Sequence, residues 1–423
     1  MPQLNTHEKN VLNTIRKFRK NDATKKFNKN DIASALGIQW TTVSNALASL
    51  LDRNMVEMSQ DTNDIALNSK YEFYAGISIG SSRIKVVLLD FCFRYVSRKD
   101  INFQQFKHYE NFITYHKDIV EDSPEEIKFC LNLNKEKDSL SKSSHTFILN
   151  DICEMFLDMK ESGLNIGAIG FTFPGIIDSD RNLILSSYVF GSTNNIGLFD
   201  LIDETTFKRF KSLFVNENDE EENTYVFDQN SNAAAIAEKE IGCVNNKNAA
   251  VIYGSYGYGI SLILGNKLHS KGGQLGHMIV IPNDNSLEED PICRCGQINC
   301  LENRINNDVF EQKVGRESDL KTRNVDEICS MLENSAEKRE VLSYYLSQAI
   351  YNIVQLTGVE DIVFTGRLSN IYECISRELK FALLSKNITS GFLKKSEFGE
   401  YSGAVGIAIE AYYKKFNIPL EWR

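Results

Sequence analysis

The stretch from Gly272 to Glu302 constrains this chain more than any other. It runs Gly-Gly-Gln-Leu-Gly-His, then a hydrophobic segment, then Cys-Arg-Cys-Gly-Gln-Ile-Asn-Cys-Leu-Glu. His277, Cys293, Cys295 and Cys300 bring one imidazole and three thiols within two dozen residues, the donor set of a closed tetrahedral zinc site. Three of the nine cysteines fall inside eight positions here. Cysteine also packs as a small hydrophobe in reduced cores. Against that, Arg294, Gly296, Gln297 and Asn299 make the segment a polar loop, unlike a core strand. A structural zinc ion is therefore expected, holding a loop that burial alone would not shape.

At 423 residues the chain can bury two or three cores, which predicts several domains. No apolar run reaches membrane-spanning length, and the N-terminus lacks the apolar region of a signal peptide. The remaining cysteines are scattered rather than spaced as a disulfide framework. A cytoplasmic protein without a membrane partner is expected. The net charge of −10 does not suggest nucleic acid, but it is unevenly spread. Up to Lys29 the chain carries Lys9, Arg16, Lys17, Arg19, Lys20, Lys25, Lys26 and Lys29 against only Glu8 and Asp22. A basic head on an acidic body requires each part to be read separately.

Within Glu8–Arg19, Val11, Leu12, Ile15 and Phe18 recur at helical spacing. Asn30 is a candidate cap for a second helix, Asp31–Leu36, stopped by Gly37. A third, from Gln39 or Trp40 to Arg53, turns Val43, Ala46, Leu47, Leu50 and Leu51 inward. Leu36-Gly37-Ile38 supplies the short turn of a helix-turn-helix, and residues 55–58 and 64–67 supply two strands of a wing. Residues 1–70 thus resemble a winged helix-turn-helix. Its third helix would enter the major groove of double-stranded DNA, with Gln39, Trp40, Thr41, Thr42, Ser44 and Asn45 facing outward as contacts. Asn and Gln can pair bidentately with adenine, while Thr reaches phosphate or a thymine methyl. A small helical bundle for protein contacts is the alternative. Acidic Asp61 and Asp64 predict a weak wing contact.

In the body, Tyr71–Ile79, Lys85–Asp90 and Tyr95–Phe103 read as strands, the first two joined by Gly80-Ser81-Ser82. Residues 104–145 read as a polar surface insertion with a short helix, leaving His108, His116 and His145 solvated. A helix over Asn150–Ser162 precedes a strand at Ile166–Phe171 that ends at Pro174-Gly175. The acidic run Glu217–Glu222 reads as an exposed loop. A helix starts near Asp228, capped by Asn230 or Ser231. Strands follow at Ala249–Tyr253, Ile260–Leu264 and Asp361–Phe364, and a last helix begins near Ser402-Gly403-Ala404. Strands alternating with helices predict an α/β architecture.

Phe173-Pro174-Gly175, the Gly-Gln-Leu-Gly-His run, the Cys-x-Cys-Gly-x-x-x-Cys-Leu-Glu run and the paired glycine turns resemble the ROK family of repressors, open reading frames and sugar kinases. The resemblance implies an actin-like, ATPase-type body of two lobes with a cleft between them. The first lobe would comprise 71–230 with 405–423, and the second, carrying the zinc loop, 231–404. A winged head in front is the layout of the family's xylose and N-acetylglucosamine repressors.

Sugar phosphorylation requires a carboxylate base and a phosphate cradle with Mg²⁺. In the family's kinases the base is the aspartate of Asn-Asp-Ala-Asn; the matching stretch here is Gln229-Asn230-Ser231-Asn232, and an amide cannot act as base. Asp228, two residues earlier, would point elsewhere. Ser78-Ile79-Gly80-Ser81-Ser82 stands where the kinases carry Asp-x-Gly-Gly-Thr. Gly257 and Gly259 are flanked by Tyr256 and Tyr258, and Arg367 replaces the second glycine after Gly366. No kinase activity is expected. The family's sugar contacts map onto Gln229, Asn230, Gln274, His277 and Glu302, so that Gln274 puts an amide in place of a carboxylate. Such a pocket takes a different, sugar-like ligand, for instance an anionic one that carboxylates would repel, or has lost its ligand.

Together these readings predict a transcriptional regulator, a repressor, that senses a sugar-like molecule and binds its operator as a homodimer or higher homo-oligomer. An active sugar kinase with a DNA-binding domain and a ligand-independent dimeric regulator are the alternatives.

Overall fold

The computed structural model of the chain describes residues 4–21, 27–59, 63–80, 83–102, 150, 152–154, 156–161, 163–187, 196–197, 202–214, 224–255, 257–269, 273–281, 292–293, 295–311, 325–389 and 391–420. The insertion expected at 104–145, the acidic run Glu217–Glu222 and Asp61 lie outside these residues, as do Ser81, Ser82, Tyr256, Gly272 and Arg294.

The head is built from α1 (Thr6–Asn21), α2 (Lys29–Leu36) and α3 (Trp40–Asp52), followed by the antiparallel pair β1 (Val56–Met58) and β2 (Ile65–Leu67). Val11, Leu12, Ile15, Ile32, Val43, Leu47 and Leu50 form its core, so the 3.6-residue spacing locates each inner face. The cap of α2 is Asn28 rather than Asn30. Asn28 Oδ1 accepts the Asn30 N–H at 2.8 Å and the Asp31 N–H at 3.4 Å, and Asp31 Oδ2 accepts the Asn28 N–H at 2.8 Å. This reciprocal capping box needs an acidic residue three positions after the cap, which Asn28 has and Asn30 lacks. Gly37, at φ +62°, closes the helix in the left-handed region.

The body holds two five-stranded sheets of the same topology. In the first, β3 (Phe73–Ile79) pairs antiparallel with β4 (Arg83–Leu89), which pairs with β5 (Tyr95–Asn102); on its other side β3 runs parallel to β6 (Ile166–Phe173). A small antiparallel sheet of β7 (Ile176–Asp178), β8 (Leu183–Ser186) and β9 (Ile196–Gly197) follows. Then α4 (Glu204–Phe214) leads to β10 (Tyr225–Gln229), parallel to β6, and on to α5 (Asn230–Glu240). The second sheet repeats the plan. β11 (Ala249–Gly254) pairs antiparallel with β12 (Tyr258–Leu264), and β12 with β13 (Lys267–His269). The short α6 (Leu301–Arg304), a π turn at Ile305–Val309, α7 (Val325–Glu333) and α8 (Ala336–Thr357) precede β14 (Asp361–Gly366), parallel to β11. After α9 (Arg367–Leu384) comes β15 (Leu393–Lys395), parallel to β14, and finally α10 (Ser402–Lys415). A winged head on a two-lobed α/β body is the expected fold. The described residues of 150–161 are helical, as their pattern predicts.

Between the sheets lie α5 and α10, packed on each other, with α10 also against β3, β6 and β10. The approach is backbone to backbone. A Cβ at Gly406 would overlap the Ala233 carbonyl oxygen, and one at Gly76 would overlap that of Ala404. Glycine at both positions is what permits this spacing.

The head is docked on the first lobe through one continuous core that includes Leu12, Ile15, Tyr74, Phe91 and Tyr412. Arg16 is buried, its guanidinium 3.9 Å from the Phe93 ring centre, 4.1 Å from Tyr412 and 4.8 Å from Phe91. Lys9 Nζ donates to the Asn417 carbonyl at 2.9 Å, and Lys20 Nζ to that of Lys239. Part of the basic charge in the head thus serves this contact and does not face outward. No helix among the described residues is long and apolar enough to cross a membrane.

Candidate functional site

The four predicted metal donors converge. One ligand atom each from His277, Cys293, Cys295 and Cys300 lies within 4.8 Å of all the others. Cys293 Sγ is 3.5 Å from His277 Nδ1, and Cys295 Sγ is 3.5 Å from Cys300 Sγ. Zinc at about 2.3 Å from each thiolate would set neighbouring sulfurs about 3.8 Å apart, so the cluster fits a tetrahedral ion. The backbone makes this possible. The Cys293 N–H donates to the Gln297 carbonyl at 2.9 Å and the Gly296 N–H to that of Cys293 at 2.8 Å, with Gly296 at φ +88°. Asn299 sits at φ +61°, its Oδ1 accepting from Arg304 Nε at 3.0 Å. Burial pushes the Cys293 thiol up to about 11 and lowers the His277 imidazole. A bound dication reverses the first of these by favouring thiolate.

From this centre the chain runs directly into the cleft. Cys300 is the N-cap of α6, and its second residue is the buried Glu302. The Glu302 carboxylate lies against the β11–β12 turn and the 3₁₀ turn Leu275–His277. A Cβ at Gly257 would come within 2.7 Å of Oε2, and one at Gly276 within 2.8 Å. Two residues on, in β12, Gly259 faces Ser231, whose Oγ accepts from Gln229 Nε2 at 2.6 Å. Glu302 and, through Ser231, Gln229 therefore approach the Gly257–Gly259 segment, and Gln274 leads into the turn that carries His277.

Asn230 faces a different set of groups. Its Oδ1 accepts from Ser78 Oγ at 2.9 Å and from Thr172 Oγ1, and its Nδ2 donates to the Ile79 carbonyl at 3.0 Å. A carboxylate could not make the last bond, because a carbonyl only accepts. Asp228 Oδ1 accepts the Gln229 N–H at 2.7 Å and Asn232 Nδ2 at 2.9 Å, which ties it to the start of α5. The N-cap of α5 is Gln229, not Asn230 or Ser231, and no side chain caps it.

Ion pairs link β4 to the start of α9 and to the segment before α10. Lys85 on β4 lies 2.9 Å from Glu400 Oε2 and also binds Asp100, while Arg83 is 2.6 Å from Asp100. Arg367 Nε is 3.7 Å from the same Glu400 oxygen. The space left beside Ser78, Gly80, Tyr253 and Arg367 is about 20 Å³, room for about one water. A larger cavity of about 640 Å³ adjoins it, between Lys85, Asp100, Asn370, Lys395 and Tyr401. Sequence reasoning identified Arg367 but missed Lys85, Asp100 and Glu400. The only local signal is that Lys85 and Asp100 pair across neighbouring strands.

In the head, Gln39, Trp40, Thr41 and Asn45 are exposed and Thr42 and Ser44 half-buried, on the face of α3 opposite Val43, Leu47 and Leu50. Lys29 Nζ donates to Ser44 Oγ at 3.4 Å and lies 5.5 Å from the Trp40 ring centre.

No curated protein sequence matches the chain significantly. A crystal structure of a ROK family transcriptional regulator, a homologue of the E. coli MLC protein, superposes with a TM-score of 0.65 at 15% identity, covering 97% of this chain and 98% of that one. A ROK family glucokinase from Streptomyces griseus, in complex with glucose and AMPPNP, gives 0.49 at 15% identity over 80% of this chain and 99% of its own. The ROK hexokinase from Thermus thermophilus gives 0.48 at 17%, over 81% and 98%. The model of the ROK family matches residues 114–412, and the chain belongs to that family.

Proposed function

We propose that this chain is a sequence-specific DNA-binding transcription regulator, a repressor. Its body binds a sugar or sugar derivative without phosphorylating it and keeps its shape through a structural zinc ion. The observation that carries the reading is Asn230. At the position of the family's base stands an amide wired to Ser78, Thr172 and Ile79, in a chain that begins with a winged head. The full-length likeness to a ROK regulator supports the same reading.

The ligand lies between Gln229, Gln274, His277 and Glu302, with zinc on Cys293, Cys295, Cys300 and one nitrogen of His277. The other imidazole nitrogen meets a ligand hydroxyl. Regulation is differential binding. Ligand favours one lobe arrangement, and α10, which packs against both α5 and the first sheet, carries that preference to the docked head. In a homodimer this changes the spacing of two heads relative to operator half-sites.

Capture of genomic fragments by the full chain, with and without a panel of sugars, tests the proposal. Fragments released or retained by one sugar are expected, and no fragment captured under any condition would end it. A coupled phosphorylation assay tests the kinase alternative, and turnover that disappears in Asn230→Ala would establish it. A ligand-independent regulator is favoured by the engagement of Gln229 with Ser231 and Asn232. Saturable sugar binding weakened by Glu302→Ala would eliminate it. One zinc per chain is expected in protein purified without added metal, and markedly less in Cys300→Ser.

A further inference from the structure

The outward stripe of α3 is unusual in what it lacks. Its residues Trp-Thr-Thr-Val-Ser-Asn-Ala-Leu-Ala-Ser-Leu-Leu-Asp contain no lysine or arginine. Guanine is read in the major groove chiefly by Arg or Lys on O6 and N7. Arg53, the residue after α3, is turned back to Glu8 at 3.8 Å. Lys29, beside the helix, engages Ser44 and the Trp40 ring. Of the basic residues on α1, Lys9, Arg16 and Lys20 contact the body.

What the stripe does present is specific. Thr41, Asn45 and Ala48 are exposed at i, i+4 and i+7, one line along the helix, with Gln39 and Trp40 exposed at its start. Asn and Gln amides match the N6 donor and N7 acceptor of adenine, while threonine and alanine methyls and an apolar ring match the thymine C5-methyl. Asp52 ends the same line and is exposed. Its carboxylate repels phosphate, so the N-terminal half of α3 enters the groove and the C-terminal end lifts away.

We propose that the head reads A·T base pairs: Asn45 and Gln39 bind adenine edges, and Trp40, Thr41 and Ala48 cover thymine methyls. Lys29 holds the indole at the groove edge. The inference rests on the DNA-binding reading and narrows it to the chemistry of the half-site.

The test is selection of duplexes from a randomised pool by the full zinc-loaded chain. Enrichment of short A·T runs in each half-site is expected, and enrichment of G·C pairs there would overturn the inference while leaving the DNA-binding reading intact. Retention of no duplex above background would remove both. On a selected duplex, replacing thymine by uracil in the half-site is expected to weaken binding several-fold for the native chain. Trp40→Ala should show a smaller difference between the two duplexes than the native chain, because Thr41 and Ala48 remain. Asn45→Ala is expected to reduce discrimination at one adenine by about tenfold. A native chain indifferent to uracil, together with unchanged discrimination in Asn45→Ala, would also overturn it. Both residues are on the surface, and unchanged thermal unfolding of the variants separates recognition from folding.

Discussion

Asn230 shows how one atom changes what a position can do. Its Nδ2 donates to the Ile79 carbonyl while its Oδ1 collects two hydroxyls, so restoring a carboxylate would not restore a base. Asn230→Asp is expected to remain inactive in a coupled kinase assay and to lose about 1–3 kcal/mol of stability in urea unfolding. Buried Glu238 makes a second prediction. Its Oε1 has no partner, and burial raises its pKa above the ordinary 4.5. The folded chain then binds this proton more tightly than the unfolded chain. Its contribution to stability is full below the unfolded value and declines as pH rises through the raised one. Glu238→Gln should flatten the decline in stability measured as pH rises above the ordinary carboxylate range; an unchanged profile would refute the assignment.

Among the elements, α10 does the most connecting. At its start Ser402 Oγ accepts from Thr365 Oγ1 at 2.7 Å beside the cleft. At its end Tyr412 packs edge-on against Tyr74, Phe91 and Phe93 around Arg16 of α1. The guanidinium there lacks a partner at Nε and Nη2 and is held by ring faces. Desolvated cation–π contacts are worth about 2 kcal/mol or more. Arg16→Ala should lower stability by that order and raise amide exchange in α1 while leaving the second sheet protected. Equal protection of α1 in both proteins would mean that other contacts carry the docking. The helix was readable in the sequence by its start near Ser402-Gly403-Ala404. Its role as the link between cleft and head was not, because Tyr412 and Arg16 stand at opposite ends of the chain.

For the molecule as a whole, the Lys85–Glu400–Arg367 bridge ties β4 of the first sheet to α9, which follows β14 of the second. Breaking a buried pair on one side leaves uncompensated charge and costs about 3–5 kcal/mol. These groups are nearly buried, with Lys85 9% and Glu400 18% exposed. Glu400→Gln is therefore expected to lower stability by a large part of that amount and to increase the radius of gyration in solution scattering. ATP with Mg²⁺ should give no saturable heat of binding to the native chain, and a saturable signal would show that the bridge opens for nucleotide.

What the sequence determined by itself was whatever is encoded locally. The four candidate metal donors lie in one short segment, the helices of the head declare their faces by spacing, and the strand–helix alternation announces an α/β body. The amide of Asn230 was legible because it stands inside a short motif. Tertiary structure decided the rest. Only the fold brings Asn230 to Ile79, Glu302 to Gly257 and Gly276, and Lys85 to Glu400. It also turns part of the basic face of α1 toward the body. Charge and hydrogen-bond partners between distant segments depend on which backbone lies beside which, and no local periodicity records that.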